Sequence, residues 1–487
     1  MKKIAVIGGG ITGLATAYYL RRYSRGTLDV TLIDSAPRFG GKITSSVEGG
    51  FVVEGGPDSF ITKKAATLDL CSSLGLDEQL LPSNSSGKTT YVWSRGDLRP
   101  MPEGMLLMAP TMVLPFLRSN LISWPGKLRM GMEMLIPPQS GETDESLAGF
   151  VRRRLGAEAL EKIAGPLMAG IHAADPETLS LRSTFPMFLE MEKKYGGLLR
   201  GVMLQKRAQQ RQPGMQGAKQ KHSPMFMTLR GGLQQLVDGM LAELRPEALL
   251  LNRRVLGVGR DRGRFEISLE DGLRLAADEV VFATPAYATA DLLQEIDPGL
   301  ASRLRSIRYV STATVSLGFR QGDLKRPLNG SGFVVPRSEK RRITACSWSS
   351  TKFNHRAPAD RALIRVFVGG ALAEDLAEMD DAALVDLARQ ELRATMGISA
   401  EPVLAKAYRW PKGNPQYEVG HQERVAEIDR MIASHEGLHL AGAAYHGAGV
   451  PDCVASGAAV AQSIATKHSI NMDGYYDRSF SPTLCAK

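Results

Sequence analysis

Three glycines and one acid near the start of this chain have the types and spacing to hold a phosphorylated ligand. Ile4-Ala5-Val6-Ile7 leads into Gly8-Gly9-Gly10-Ile11-Thr12-Gly13-Leu14, and Asp34 closes the next apolar run, Val30-Thr31-Leu32-Ile33. Gly8 permits a tight turn, Gly10 lets backbone approach a pyrophosphate, and Gly13 lets a helix pack closely on the preceding strand. The helix N-terminus adds free N–H groups and a partial positive charge. Asp34, about 20 residues beyond Gly13, is spaced to accept from a ribose hydroxyl. The elements that must position these groups are a strand, a glycine turn opening a helix, and a second strand ending in the acid. Together they form a dinucleotide-binding βαβ unit. Met1-Lys2-Lys3 and the apolar residues after it could instead begin a secretory leader, but three consecutive glycines and the acid argue against that.

Immediately after Asp34 comes Ser35-Ala36-Pro37-Arg38-Phe39-Gly40-Gly41-Lys42, and then Glu54-Gly55-Gly56-Pro57-Asp58-Ser59. Cations at Arg38 and Lys42 around flexible Gly40 and Gly41 would form a second clamp on the same diphosphate. Glu54 reads as readily as a buried, hydrogen-bonded structural carboxylate as it does a ligand contact. Much later, Leu438-His439-Leu440-Ala441-Gly442 leads to Gly447-Ala448-Gly449-Val450-Pro451-Asp452 and a small-residue helix from Cys453 to Thr466, a third glycine turn at a helix N-terminus.

Composition narrows the alternatives. With 487 residues and 43% hydrophobic content, the chain can bury a large core in two or three domains. Four scattered cysteines, Cys71, Cys346, Cys453 and Cys485, include no CxxC pair, so reduced thiols are expected, with neither disulfide nor metal. The eight histidines do not cluster at ligand spacing. No stretch is apolar for long enough to span a bilayer, and a cytoplasmic location is expected. The net charge of +9 lies in one place: residues 193–237 hold nine basic residues and no acid. That Gln-rich segment, with Pro213, Gly214 and Gly217, reads as a solvated loop or as an electrostatic guide for an anion, a membrane surface or a partner. Tyr195 and Phe226 are the only aromatic residues in the run and neither is interleaved with its central cations, so nucleic acid is not expected as a partner.

Between the cofactor segments, Glu145 to Gly156 reads as an amphipathic helix with a basic last turn and a glycine stop. Leu233 to Leu244 is a second amphipathic stretch. Strands are expected at Leu249-Leu250-Leu251 and Arg254-Val255-Leu256. Phe265 to Leu269 and Leu273 to Leu275 flank Asp271-Gly272, a hairpin signal. Glu279 to Pro285 reads as a buried strand entering a turn. Ala313 to Phe319 and Leu363 to Val368 read as strands of a further small sheet. Of 20 methionines, 14 fall between Met101 and Met227, which suits either core filling or an apolar pocket for a large ring.

The ordered set of GGGITG, Asp34, RFGGK, GPDS, FATP, Trp410 with Pro415-Gln416-Tyr417, and GAGVPD resembles the FAD-dependent amine oxidase and phytoene desaturase superfamily. Within it, GPDSF (56–60), Arg182-Ser183-Thr184-Phe185-Pro186 and PQYEVGH (415–421) resemble the Gram-positive type of protoporphyrinogen or coproporphyrinogen oxidase. The likeness runs from about Lys3 to Lys467. It implies FAD along Gly8, Gly9, Gly10, Ile11, Thr12 and Gly13, with Asp34 and Ser35 at the ribose and Arg38, Gly41 and Lys42 at the diphosphate. Gly56, Pro57, Asp58 and Ser59 would face the flavin, Val255 the adenine, and Gly449, Val450, Pro451 and Asp452 the isoalloxazine end, with Trp410 nearby. The shorter Asp34 stands where glutamate is more common in the family, and Gly55 where a bulkier residue is, which leaves side-chain contacts there less determined.

The resemblance further implies a mixed α/β chain: a Rossmann-like FAD-binding domain from 1–80, 226–299 and 406–487, a mainly helical domain at 81–225 with a basic loop at about 193–225, and a substrate-binding domain with a small mixed sheet at 300–405. The implied reaction removes six electrons from a porphyrinogen in three two-electron steps, with O₂ as acceptor and hydrogen peroxide as product, in haem synthesis. No side chain stands out as an essential base, because the flavin carries the chemistry. Lys63, Lys64 and Lys88 are candidates for propionate contacts, although exposed lysines usually only solvate a surface. A coproporphyrinogen carries four propionates and a protoporphyrinogen two, so a basic enzyme fits the former better. A flavin oxidase of amines or carotenes and a non-catalytic FAD protein are the alternatives. Peripheral membrane contact, docking with another haem-synthesis enzyme and oligomeric state are left open.

Overall fold

The structure is a computed structural model that describes residues 1–84, 89–106, 108–139, 141, 143–210 and 224–470, with 106 and 205–210 described as backbone only. The chain divides into two compact units, one of 1–82, 224–308 and 423 onward, the other of 83–223 and 309–422.

The first unit is built on five parallel strands, β1 (Lys2–Ile7), β2 (Leu28–Ile33), β3 (Leu249–Leu250), β4 (Glu279–Phe282) and β5 (Leu438–Leu440), in the order β3-β2-β1-β4-β5. This is the strand order of the doubly wound dinucleotide-binding fold. The central strand β1 is buried from Ile4 to Ile7 because it has neighbours on both sides, Ile4 pairing with Val30 and with Glu279. Helix α1 (Ile11–Ser24) is buried along most of its length rather than along one stripe. The reason is helix α2 (Val450–Lys467), which crosses it: a Cβ on Gly457 would stand 2.5 Å from the Thr12 carbonyl oxygen. Leu14, Leu20, Leu32, Leu236, Val454 and Ile464 form the shared core. The expected hairpin is present as the strands Arg264–Leu269 and Arg274–Ala277.

The second unit contains a seven-stranded sheet ordered 404–415, 309–320, 361–369, 345–348, 332–334, 90–94, 97–100. Its pairs are antiparallel except that of 332–334 with 90–94. One face is covered by the helix Asp381–Met396, whose Leu384, Leu387 and Leu392 pack with Ala313, Val315 and Leu317. A second, helical core gathers Phe150, Ile163, Met168, Phe188 and Leu198.

Three boundaries differ from the sequence expectation. Most of 81–225 and of 300–405 falls in one unit, 83–223 with 309–422, because strands 90–94 and 97–100 extend the sheet of the supposed separate domain. The return to the first unit comes at 423 rather than 406, because 404–415 pairs with 309–320 along nearly its whole length. The expected basic loop begins in the last turn of helix Pro186–Tyr195 and contains helix Leu198–Gln210, while Arg211, Lys219 and Lys221 lie outside the described residues.

The basic end of helix Leu147–Arg154 is also not simply solvated. Arg154 is fully buried, donates from Nε to Glu133 at 2.8 Å and reaches Glu192, while Arg153 bridges Glu192 and Glu145. Glu133 accepts in turn from the backbone N–H of Leu198 at 2.8 Å, tying three helical segments to one ion cluster. The methionines are split between two environments: Met108, Met130, Met168 and Met191 fill the helical core, and Met112, Met132, Met187 and Met203 are exposed. No helix among the described residues is long and apolar enough to cross a membrane.

Candidate dinucleotide site

The candidate site of the first unit begins where β1 ends. Gly8 has φ +104°, which a residue with a Cβ rarely adopts. A Cβ on Gly13 would stand 1.8 Å from the Gly8 carbonyl oxygen, so helix and turn close only because Gly13 has none. Asp34 at the end of β2 accepts from the backbone N–H of Gly9 at 2.5 Å and of Ala36 at 2.7 Å. It thereby braces the glycine turn, and a carboxylate has lone pairs beyond those two bonds.

The RFGGK loop joins the same turn. Gly40 donates to the Gly9 carbonyl at 2.8 Å. Arg38 donates to the carbonyls of Phe39, Ile43 and Gly41 at 3.1, 2.9 and 2.7 Å, so its guanidinium shapes its own loop. That is a scaffolding role the sequence pattern did not reveal. The segment of Gly56, Pro57, Asp58 and Ser59 leans on this loop, with the Gly56 Cβ position only 1.8 Å from the Lys42 carbonyl oxygen. Glu54 is buried and accepts from Ser45 Oγ at 2.5 Å and from the Leu233 N–H at 2.9 Å, which is the structural reading of that residue. On the far side of Asp34, the backbone N–H of Arg253 donates to the Asp34 carbonyl at 3.0 Å, which leads the chain past the end of β2 to Val255.

The third glycine turn closes the array. Gly449, in extended conformation, precedes α2, with Val450 and Pro451 in its first turn. Asp452 pairs with Lys64, an ion pair between α2 and the segment after Ser59 that spacing alone could not reveal. Burial pushes the Cys453 thiol up, against smaller lowering influences from Lys42 and from a hydrogen bond with Thr12, so the starts of α1 and α2 converge there. Lys42 presents surface to solvent, yet enough protein surrounds its ammonium that desolvation draws its pKa below the ordinary lysine value.

These groups fit a dinucleotide. No side chain caps α1, its first turn carries no acid, and a Cβ on Gly10 would meet nothing within 4 Å. The start of α1, with its backbone donors and helix dipole, thus borders open space beside Gly10, as a diphosphate would require. Of the remaining candidates, Ser35 and Lys63 are exposed, Lys88 lies outside the described residues, and Trp410 belongs to the second unit, opposite Thr312 on strand 404–415. Among the described residues no group of His, Cys, Asp and Glu could hold a metal ion.

Strand order and glycine turn together define a Rossmann-type fold of the dinucleotide-binding class. Comparison with known proteins carries this further: the description "Flavin containing amine oxidoreductase" matches residues 11–465, and the chain belongs to that family of flavin-dependent oxidoreductases. It is 36% identical over 469 residues to coproporphyrinogen III oxidase of Bacillus subtilis, covering 96% of this chain and 98% of that one. It is 32% identical to coproporphyrinogen III oxidase of Staphylococcus aureus, covering 95% and 99%, and 31% identical to human protoporphyrinogen oxidase, covering 95% and 98%. A crystal structure from Exiguobacterium sp. matches with a TM-score of 0.84 at 33% identity, covering 96% of this chain and 99% of that one.

Proposed function

We propose that this chain is an FAD-dependent oxidase that converts coproporphyrinogen III to coproporphyrin III with O₂ as acceptor. The observation that carries the reading is the near-complete overlap with two coproporphyrinogen III oxidases at 36% and 32% identity. Each turnover would remove six electrons and six protons from the porphyrinogen and reduce three O₂ to three hydrogen peroxide.

FAD, when bound, supplies the two-electron redox chemistry. The chain's own residues have simpler tasks. The N-terminus of α1 and Lys42 offset the charge of the diphosphate, and Asp34 accepts from the adenosine ribose. Gly56 to Ser59 and Gly449 to Asp452 flank the flavin end, where the Lys64 and Asp452 pair fixes one segment against the other. No side chain needs to act as a base, because a hydride acceptor and solvent suffice for the proton balance.

The test is a paired assay on purified protein, with coproporphyrinogen III and protoporphyrinogen IX supplied separately under air. Fluorescent coproporphyrin III, oxygen uptake and FAD released on denaturation are the expected results. Turnover of protoporphyrinogen IX alone would reassign the substrate, and oxygen uptake with amines alone would reassign the class.

A further inference from the structure

One stretch of the second unit turns its large apolar side chains outward. Helix Val113–Arg118 buries Phe116 and leaves Val113, Leu114 and Leu117 exposed. Helix Trp124–Gly131 and the turn Met132–Leu135 that continues it bury Lys127, Met130 and Glu133, but leave Trp124, Leu128, Met132 and Leu135 in water. Those four recur at steps of four, four and three, which is one stripe along a helix. Val113, Trp124, Leu128 and Leu135 are 72%, 70%, 70% and 77% exposed, so the stripe is not the rim of a core. Lys127 joins the two helices: its ammonium donates to the Leu117 carbonyl at 2.8 Å and lies 4.4 Å from the centre of the Trp124 ring. A third helix, Leu198–Gln210, is tied to the same elements. Its Leu198 and Val202 share the core of Phe116 and Met130, and its Met203 and Leu204 stay exposed.

Charge decides what could cover this surface. Between Glu103 and Glu142 the sequence has one acid, Glu133, and it is fully buried against Arg154. Glu158, which reaches Ser123 at the start of helix Trp124–Gly131, is paired with Lys162. The exposed charges are cations: Arg118 within the stretch, and Lys193, Lys194 and Arg200 in the acid-free run that leads through the third helix. A second copy of this chain, meeting the surface with its own, would set cations against cations. An anionic bilayer answers both components, since apolar side chains enter the acyl boundary while headgroups offset the positive charge. Tryptophan beside a cation suits that boundary, where one end of the ring is apolar and the other wet. No described helix is long and apolar enough to cross a membrane, so the contact is one of lying on the surface.

We propose that helices Val113–Arg118 and Trp124–Gly131, with Leu135 beyond them, form a peripheral docking surface for a bilayer of anionic phospholipid. The inference does not depend on the porphyrinogen reading, because none of these residues belongs to the candidate dinucleotide site. Its physical basis is the size of the patch: contiguous exposed apolar surface is costly in water and marks a contact that removes it.

The test is flotation of the flavin-loaded full chain with vesicles of phosphatidylcholine alone and of phosphatidylcholine mixed with phosphatidylglycerol. Binding to the mixed vesicles is expected, and it should weaken as salt is raised. Leu128→Ser combined with Leu135→Ser should weaken it about tenfold or more, because two large apolar side chains no longer leave water. Arg118→Glu should weaken binding to the mixed vesicles by about 3–10-fold. All three side chains are exposed, so flavin content and unfolding temperature should stay at the parent's values. Lipid brominated along its acyl chains should quench tryptophan emission, and Trp124→Phe should remove most of that quenching while binding stays within about threefold. Trp93 and Trp348 are buried and should not respond. Failure to bind the mixed vesicles, binding indifferent to the Leu128 and Leu135 substitutions, or quenching that survives Trp124→Phe overturns the proposal. Self-association without lipid that the same two substitutions abolish, measured by sedimentation, would replace the bilayer with a second copy. A chain that oxidises coproporphyrinogen III but ignores vesicles refutes this inference alone; one that binds vesicles but oxidises no porphyrinogen refutes the proposed function alone.

Discussion

The candidate site of the first unit is built mainly of backbone, whereas the second unit arranges side chains. At Gly8 to Gly13 the groups on offer are N–H donors and a helix end, and what the sequence must supply is the absence of a Cβ at set positions. On the sheet of the second unit, register brings together a guanidinium, an ammonium, hydroxyls and rings. A backbone site tolerates almost no change of shape but is indifferent to most neighbouring side chains. A side-chain site keeps its shape when one residue changes and loses a specific interaction instead. Failure in the first unit should therefore be loss of fold or cofactor, and in the second, loss of a single interaction or of local stability.

The largest expected effect tests the backbone half of that contrast. Gly13→Val places carbon where the Gly8 carbonyl oxygen lies 1.8 Å away, and neither backbone element can retreat. We expect a loss above about 4 kcal/mol and no soluble, flavin-loaded protein. Gly10→Ala is its partner, because the Cβ there meets nothing within 4 Å. That variant should fold, with an unfolding temperature within a few degrees of the parent in the apo form, but bind FAD at least about tenfold more weakly by titration, since the new methyl occupies ligand space. Equal behaviour of the two variants would break the distinction between scaffold and cradle glycines.

Next comes the second unit's ion cluster. Arg154→Ala strands the fully buried Glu133 and should cost about 3–5 kcal/mol in chemical denaturation. Arg154→Met with Glu133→Leu removes both charges and should recover most of that loss. A double variant as unstable as the single one would show that packing around Arg154, rather than charge balance, holds the helices.

The contrast also explains what the sequence made legible. The glycine turns, Asp34, the βαβ order and helix α2 were visible because backbone geometry forces particular residue types at particular spacings. Gly13 and Gly56 could hardly be other residues, since a Cβ at either would stand 1.8 Å from a backbone carbonyl oxygen. The role of Arg38 was not visible, since a cation beside a diphosphate position satisfies loop carbonyls or phosphate equally well in one dimension. Nor could the buried state of Arg154 be seen: its partners Glu133 and Glu192 are distant in the chain, and three consecutive arginines at a helix end look like solvated surface. The domain boundary at 406 failed for a related reason. Strand 404–415 places Lys406, Tyr408 and Trp410 on one face and Ala405, Ala407 and Arg409 on the other, a pattern that shows where the strand alternates but not which strand it joins.

A smaller, pH-dependent effect belongs to the first unit. Burial opposes ionisation of Glu279 on β4, but hydrogen bonds and charge from His439 and Lys467 outweigh it and hold its pKa at about 2, below the ordinary 4.5. His468 also bonds this carboxylate at 2.9 Å, so the end of α2 is tied to the central sheet. Because the folded pKa is depressed, the stabilisation is fully present above pH 4.5 and lost as pH falls toward 2. Glu279→Gln should lower stability by about 1–3 kcal/mol at pH 7 and flatten the dependence over that acidic window, measured by denaturant melts. An unchanged slope would remove the carboxylate from the account of acid sensitivity.

The smallest expected effect concerns Lys64, an exposed side-chain contact in the backbone-built site. Its ion pair with Asp452 joins the segment after Ser59 to the start of α2, yet the lysine side chain is 51% exposed. Water and salt screen such a pair, so Lys64→Met should change stability by less than about 1 kcal/mol and leave FAD affinity within about threefold. If the first unit is a backbone cradle, that is the necessary outcome, because the glycine contacts that seat the ligand do not pass through Lys64. A salt-sensitive loss of FAD affinity would instead make the pair a clasp on the flavin end. An unchanged FAD affinity with a raised KM for coproporphyrinogen III would assign Lys64 to a propionate, a side-chain contact in a site otherwise built of backbone.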